Sequence, residues 1–446
     1  MTHSIVVHRK PTSTQLLARI LDTPDLAAQV QSLPAPALAK LIEHVGLEDA
    51  GEIVALATTA QIADVWDEDL WRADRIGDDE RFDGDRFVVW LAVMREAGDR
   101  HVAEKLAELP EELVVLAFHG EVLVLGMNEL ASDLGGGGDD AEAVEKALSD
   151  QLTEEIDEYL LVSRRHEGWD DVIAALVALD EHDHDLALRV LERCRKASQA
   201  AIEDEGGLYE VLSEIESLTA DVAGDREDRR GEMGFVAPSS ATAFLRLAKE
   251  GHETKSTEHD PVTKAYLRGL STKAQQPSST KPATARTDLV ALLAEAEGKG
   301  RDAPPVALLP PAQRRAAPQD APSETLLVRA MRELANQDEA LFAARSDEIA
   351  YLANVLRAGW AHDGRRLRPV EAIAAALAVV DQGLGAVAAA PRGAEHELFA
   401  RALRALVEHP ADGLFRIAWK VLHEDPRRVK ALFARVTSEL GTSKQS

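Results

Sequence analysis

Apolar residues recur with a helical period through the first part of this chain. Between residues 33 and 66, three groups of apolar side chains follow the spacing i, i+3 and i+4 and start about ten residues apart. The groups are Leu38, Leu41, Ile42 and Val45, then Ala50, Ile53, Val54 and Ala57, then Ile62, Val65 and Trp66. This spacing puts apolar side chains on one face of a helix, so it predicts consecutive helices about 8–12 residues long.

The residues between these groups carry signals that begin and end helices. Pro34 suits a first helical turn, Gly46 suits a helix end, and Thr58 with Gln61 has the spacing of a capping box. Isolated helices of this length are marginal in water, so we expect them to gain order by packing side by side. The pattern therefore predicts an all-α fold that begins with degenerate, α-solenoid-like helical repeats.

Changes in composition divide the chain into five predicted regions. They are an acidic helical-repeat region at 1–134, a Gly-rich joint at 135–140, a helical region at 141–253, a Pro/Ser/Thr-rich linker at 254–323 and a C-terminal helical domain at 324–446. The linker is predicted to be disordered, because its composition buries too little apolar surface to offset the entropy of ordering. A surface loop inside one domain is the alternative for the Gly-rich joint.

Apolar stripes predict the helices of the later regions. In 141–253 they lie near 141–163, 169–180, 185–199 and 207–222. In the C-terminal domain one predicted stripe is Ile373, Ala376, Leu377 and Val380. No stretch carries a β-hairpin pattern of any weight. Inside the linker, the segment 287–298 (TDLVALLAEAEG) has apolar residues at helical spacing, and we expect it to dock on this protein or on a partner.

Composition and charge narrow the function classes. Aromatic residues make up only 4% of the chain, which favours close-packed helices over strands. The net charge is −28, and the excess of acidic residues is concentrated in residues 1–253. Because binding to phosphates or anionic lipids begins with a basic surface, nucleic acid is not an expected partner of this half.

The compartment is predicted from one cysteine and from the apolar runs. Cys194 is the single cysteine, so no intrachain disulfide forms, and a reducing compartment is expected. Basic neighbours of Cys194 would favour a thiolate, but its place in an apolar stripe predicts a packed side chain. The first residues lack a secretory signal, and no apolar run reaches the roughly 20 residues of a membrane span. We therefore expect a soluble cytoplasmic protein without membrane insertion.

The stretch 172–188 (VIAALVALDEHDHDLAL) carries the candidate metal ligands His182, Asp183, His184 and Asp185. Imidazole and carboxylate groups are both plausible ligands, although adjacent helical positions point in different directions. The alternative is a turn between two helices in which Asp183 or Asp185 caps the second. The pair Asp180-Glu181 after an apolar run also resembles the acidic pair that holds the metal ion in a nucleotide hydrolase. However, the chain has no phosphate-binding loop of the G-x-x-x-x-G-K-[ST] type.

Two further charged stretches are candidate ion sites. The acidic loop 78–85 offers carboxylates for Mg²⁺ or Ca²⁺, although such runs are usually solvated. Arg365, Arg366 and Arg368 precede a predicted helix, and guanidinium groups at a helix start can hold a phosphate or a carboxylate. The alternative is that these arginines pair with the acidic half of the chain or face water. No complete catalytic motif occurs, and we predict no catalytic residue and no cofactor.

Three stretches carry a resemblance to a known family. They are GLEDAGEIVALATTAQIADVWDEDLW (46–71), LANVLRAGWAHDGRRLRPVEAIAAALAVVDQGL (352–384) and LFRIAWKVLHEDP (414–426). They resemble an all-helical bacterial family known only as a domain of unknown function, which implies helices at both ends and no assigned residue. The Leu-Pro and Glu-Asp-Ala phrases are distantly similar to helical repeats of magnesium-transporter cytosolic domains and flagellar motor switch proteins. That similarity implies protein contacts or regulation by divalent cations.

Together these patterns predict a non-enzymatic helical scaffold for protein–protein interaction, with a protein partner or a second copy as its ligand. The alternative is a regulator that responds to a divalent cation through its acidic half. An enzyme whose site residues are scattered along the sequence is a third class that one sequence does not reveal.

Overall fold

The structure is a computed structural model of the chain, and it is predominantly helical. It describes residues 12–128, 130, 151–203, 214–232, 234–250, 259, 263–264, 266–267, 289, 292, 325–389 and 395–442. The predicted all-α class is confirmed, since helices far outnumber short strands in this described part. The predicted joint 135–140 lies outside the described residues, and so does most of the predicted linker 254–323.

The chain forms two compact units, which are described separately. Unit 1 comprises residues 1–72, 81–226 and 280–310. Unit 2 comprises residues 73–80, 227–279 and 311–446.

Unit 1 is built mainly from short helices. They are α1 (Ser13–Leu21), α2 (Leu26–Ser32), α3 (Ala35–Val45), α4 (Gly51–Leu56), α5 (Thr59–Asp69), α6 (Gly84–Arg95), α7 (Asp99–Glu108), α8 (Glu111–Glu121), α9 (Trp169–His182) and α10 (His184–Glu203). The helix α11 (Glu214–Glu232) contains the boundary between the units. The three predicted groups correspond to α3, α4 and α5, and the capping box of Thr58 and Gln61 is present at the start of α5.

The apolar faces of these helices meet in a single cluster of buried side chains. Phe87 on α6 is fully buried. Its ring lies edge-on to Trp66 on α5 and to Phe118 on α8, with distances between ring centroids of 5.7 Å and 5.6 Å. Such edge-to-face pairs add to the free energy gained by burying the rings. The side-by-side packing that the short helices require is therefore present in unit 1.

A small antiparallel sheet in unit 1 corrects one prediction. Strand β3 (Val122–Gly126) follows α8 directly and pairs with β5 (Tyr159–Ser163), which also pairs with β4 (Thr153–Ile156). The helix predicted at 141–163 is therefore wrong over this hairpin. Every residue of β5 is buried, and a short continuous apolar run does not distinguish a buried strand from a buried helix. Elsewhere in unit 1, β1 (Trp71–Arg72) pairs with β2 (Arg81–Phe82).

Unit 2 is built around one central helix. Its helices are α12 (Pro238–Glu250), α13 (Leu326–Gln337), α14 (Glu339–Gly359), α15 (Pro369–Ala388), α16 (Glu395–Glu408), α17 (Ala411–His423) and α18 (Pro426–Thr442), and the hairpin β6 (Ala361–His362) with β7 (Arg365–Arg366) precedes α15. The central helix α15 packs against α13, α14, α16, α17 and α18. Among the described helices it is the one long and apolar enough to cross a membrane by length and composition, and less than half of its most apolar stretch is buried inside the protein.

Two described parts of the predicted linker have fixed contacts. In unit 2, the Tyr266 hydroxyl donates a hydrogen bond to the Gly234 carbonyl oxygen at 2.8 Å. In unit 1, Leu289 is buried in the apolar cluster, and Leu292 packs against the same cluster. The segment 287–298 was predicted to dock on this protein or on a partner. Its two described leucines pack against this protein.

Candidate functional site

Three side chains in unit 1 bring possible metal ligands together. Asp157 lies in the turn between β4 and β5, Asp180 lies in the last turn of α9, and His184 is the first residue of α10. Each offers one ligand atom, and these atoms lie within 4.8 Å of one another. Because the three residues come from different elements, the β-hairpin and the α9–α10 turn together create the cluster.

The imidazole of His184 is the centre of this cluster. Its Nδ1 lies 2.7 Å from Asp180 Oδ1 and 3.8 Å from Asp157 Oδ2. The hydrogen bond with Asp180 is the main cause that raises the pKa of His184 above its usual value. A metal ion binds the neutral imidazole, so the proton and the metal compete, and metal binding would strengthen as the pH rises through this pKa.

The structure separates the four residues that the sequence proposed as ligands. His184 lies in the cluster, whereas His182, Asp183 and Asp185 are not among its members. Asp183 accepts a hydrogen bond from the Leu186 backbone N–H at 3.0 Å and so caps α10, as the alternative interpretation predicted. The sequence pattern did not identify Asp157 as a ligand, because its position depends on the hairpin of β4 and β5, which was not predicted.

The donor set of this cluster fits particular metals. One imidazole nitrogen and two carboxylate oxygens suit Zn²⁺ or Mn²⁺, whereas Mg²⁺ and Ca²⁺ prefer oxygen ligands alone. Three protein ligands leave coordination positions for water or for another ligand. The side chains are partly exposed, so solvent reaches the site.

Two carboxylates of the acidic loop 78–85, one in each unit, accept hydrogen bonds within their own unit. In unit 2, Glu80 accepts hydrogen bonds from Arg230 at 3.2 Å and from Arg366 at 2.9 Å. In unit 1, Asp83 caps α6 through the Arg86 backbone N–H at 3.1 Å. Glu80 and Asp83 therefore both have hydrogen-bond partners within the protein.

The three candidate anion-binding arginines of unit 2 also contact carboxylates. Arg365 and Arg368 both donate to Glu371, which is only 1% exposed, and Arg366 donates to Glu80. The hydrogen bond from Arg365 is the largest cause that lowers the pKa of Glu371 to about 2. These ion pairs fix the hairpin β6–β7 to the start of α15, and anion binding by the arginines stays a prediction.

A buried ionic network in unit 2 was missed by sequence analysis. Glu348 on α14 accepts hydrogen bonds from Arg345 at 2.7 Å and from the Ala411 backbone N–H at 2.6 Å. Asp412 on α17 is fully buried and lies 2.8 Å from His259 Nδ1. The sequence of α14 contains a signal for this network. Arg345 and Glu348 lie seven and four residues before Leu352, so they fall on the same buried face of the helix.

Cys194 is completely buried on α10, and burial raises the pKa of its thiol to about 12. Its sulfur lies 3.6 Å from the Val115 carbonyl oxygen. A thiol in this environment stays protonated and packs as a small apolar group.

The fold and these sites define an all-helical protein with a small sheet and a candidate metal cluster in unit 1. Residues 8–206 match the model of a family described as "Family of unknown function (DUF6178)". The predicted resemblance to an uncharacterised family is therefore confirmed over this range, which includes the stretch 46–71 but neither 352–384 nor 414–426. No curated protein and no solved structure matches the chain. The distant similarity to magnesium transporters and flagellar motor switch proteins is not shown.

Proposed function

We propose that the protein is a cytoplasmic, non-enzymatic helical scaffold that binds a protein partner or a second copy of itself. The observation that carries this proposal is an exposed apolar surface on α15. Val370 is 59% exposed and Ile373 is 43% exposed, and they lie on one helix face with the partly buried Leu377. Neighbouring exposed apolar side chains on one face of a helix favour a protein interface. The strongly negative charge of the chain favours a protein partner over nucleic acid.

The scaffold proposal is tested by the double substitution Val370→Asp with Ile373→Asp. We expect it to weaken self-association or partner binding about tenfold or more, because charged groups on both residues would have to be desolvated in the interface. Sedimentation velocity over a concentration series measures self-association. Capture from extracts of the native cell, followed by binding measurements with the purified partner, measures partner affinity.

Val387→Asp is the matched control for this test. Val387 is also exposed on α15, but it lies 14 residues after Ile373, which is about 21 Å further along the helix axis. We expect Val387→Asp to bind like the unmodified protein. Equal binding by the unmodified protein and the double variant would contradict the proposed surface.

A second candidate function is regulation by a divalent cation. The cluster of Asp157, Asp180 and His184 favours it, because the cluster joins the β-hairpin to the turn between α9 and α10. A cation at this point would stabilise unit 1 by mass action. Its donor set favours Zn²⁺ or Mn²⁺ as the regulating ion.

Thermal melts after EDTA treatment test this function, with Mg²⁺, Ca²⁺, Mn²⁺ and Zn²⁺ added separately. We expect Zn²⁺ or Mn²⁺ to raise the melting temperature of the unmodified protein, since a ligand at 100 times its Kd contributes about 2.7 kcal/mol. His184→Ala should lose this increase, whereas the matched control His182→Ala, which changes a histidine outside the cluster, should keep it. The same response in all three proteins would exclude the cluster as the cation site.

A further inference from the structure

A histidine of the predicted linker lies between two buried carboxylates in unit 2. His259 Nδ1 is 2.8 Å from Asp412 Oδ1, and His259 Nε2 is 3.5 Å from Glu348 Oε1. The side chains of Glu348 and Asp412 are 2% and 0% exposed, whereas that of His259 is 27% exposed. Each ring nitrogen thus faces a different acid, one on α14 and one on α17.

Only the protonated imidazole suits both of these neighbours. An imidazolium has an N–H on each ring nitrogen and can donate to both carboxylates, whereas a neutral imidazole has a single N–H. Loss of the proton therefore directs a lone pair at a buried carboxylate and removes the positive charge that both acids attract. The hydrogen bond with Asp412 is the main cause that raises the pKa of His259 above its usual value, although burial of the ring acts in the opposite direction.

The two acids have further partners that hold them in place when the imidazole loses its charge. Glu348 accepts a hydrogen bond from Arg345 on α14 at 2.7 Å, and Asp412 accepts one from Arg416 on α17 at 3.1 Å. Burial raises the pKa of Glu348, and the charge of Arg345 opposes both this rise and the protonation of His259. A change of charge at His259 therefore acts mainly on the attachment of His259 itself.

Described residues that follow His259 are docked on the same unit. Thr263 is fully buried. The Tyr266 ring lies 4.6 Å from the Tyr351 ring between centroids, and the Tyr266 hydroxyl donates a hydrogen bond to the Gly234 carbonyl oxygen at 2.8 Å. The contact of His259 with the two acids thus stands at the start of a docked part of the chain.

We propose that His259 is a pH-dependent latch that holds the start of the linker on unit 2. The latch is fully closed below the ordinary pKa of histidine, about 6.5, where the imidazole is charged in the docked and the released state. It weakens as the pH rises through the raised pKa of docked His259, because the docked state binds the proton more tightly than the released state. This regulation goes beyond the scaffold function and depends on neither the α15 surface nor the cation cluster.

NMR measurements on the full chain test the latch without a variant. Amide exchange at Thr263 and Tyr266 is divided by the intrinsic exchange rate at each pH, which gives a protection factor. We expect this factor to fall at least about threefold between about pH 5.5 and about pH 8.5, since a charge-assisted hydrogen bond is lost. Amides of α15 should keep their protection, which distinguishes release of the latch from unfolding of unit 2. The His259 ring should titrate above the ordinary value of about 6.5.

The variant His259→Gln removes the titratable group and keeps a side chain that donates hydrogen bonds. We expect the protection of Thr263 and Tyr266 to become independent of pH in this variant. The matched control His396→Gln changes an exposed histidine on α16 and should retain the pH dependence of the unmodified protein. The proposal is overturned by a His259 ring that titrates at or below the ordinary value, by protection that does not change with pH, or by the same pH dependence in His259→Gln.

Discussion

Gly383→Ala should destabilise unit 2 by about 3 kcal/mol, although alanine is the better helix former. Gly383 lies on α15 where this helix meets α17. A Cβ atom at this position would lie 2.7 Å from the Leu414 carbonyl carbon and closer still to its oxygen. Both are backbone atoms, so the two helices would have to move apart, and the apolar contacts along their whole crossing would weaken.

Gly385 is the matched control on the same helix. A Cβ atom at Gly385 meets no atom within 4 Å, so Gly385→Ala should stabilise unit 2 by about 0.5–1 kcal/mol. The free energy of unfolding of unit 2 can be read from native-state hydrogen exchange of α15 and α17. If Gly383→Ala unfolds as the unmodified protein does, or Gly385→Ala costs as much, the close crossing of α15 and α17 is not present.

Glu348→Ala should destabilise unit 2 by about 3–5 kcal/mol. Glu348 is 2% exposed, and its carboxylate accepts hydrogen bonds from Arg345 and from the first backbone N–H of α17. Its removal leaves the buried guanidinium of Arg345 without its counter-charge and the Ala411 N–H without its acceptor. The remaining bonds from Arg345 to the Leu406 and Val407 carbonyl oxygens do not replace that charge.

The neighbouring Asp347 supplies the control for this substitution. Asp347 is exposed on α14, so Asp347→Ala should change the free energy of unfolding by no more than about 0.5 kcal/mol. Denaturant titrations that follow hydrogen exchange in α14 and α17 measure both variants. Equal stability of the two variants would show that the ionic network contributes little to unit 2.

Local patterns predicted most of the helices because the signals lie within a few residues of one another. The stripe of Leu38, Leu41, Ile42 and Val45 is the buried face of α3, and the pair Thr58 and Gln61 caps α5 as expected. The prediction failed at the hairpin of β4 and β5, because a buried strand and a buried helix both contain continuous apolar runs.

The apolar pattern of the central helix α15 does not identify which of its sides is buried. Its sequence is apolar on nearly every side, so the predicted stripe included Ile373, which is 43% exposed. The residues that face the core include Ala376 and Val380 of the predicted stripe, together with Ala372 and Leu384, which the prediction left out. Which side of such a helix is buried depends on its neighbours, and a single-helix pattern does not specify them.

The candidate sites depended even more on distant residues. Arg366 contacts Glu80, and His184 contacts Asp157, and neither pair has a sequence spacing that predicts its contact. Sequence analysis singled out both Arg366 and the acidic loop that contains Glu80, but it did not predict that these two residues pair. In the second pair it found only His184, and Asp157 became visible only in the fold.

Packing side by side orders the short helices of unit 1, which are too short to be stable alone. Far-UV circular dichroism of synthetic peptides 35–45, 59–69 and 111–121, in the same buffer as the full chain, tests it most directly. We expect little helix in each peptide, while the full chain gives a strongly helical spectrum. Peptides with as much helix per residue as the intact protein would contradict the claim.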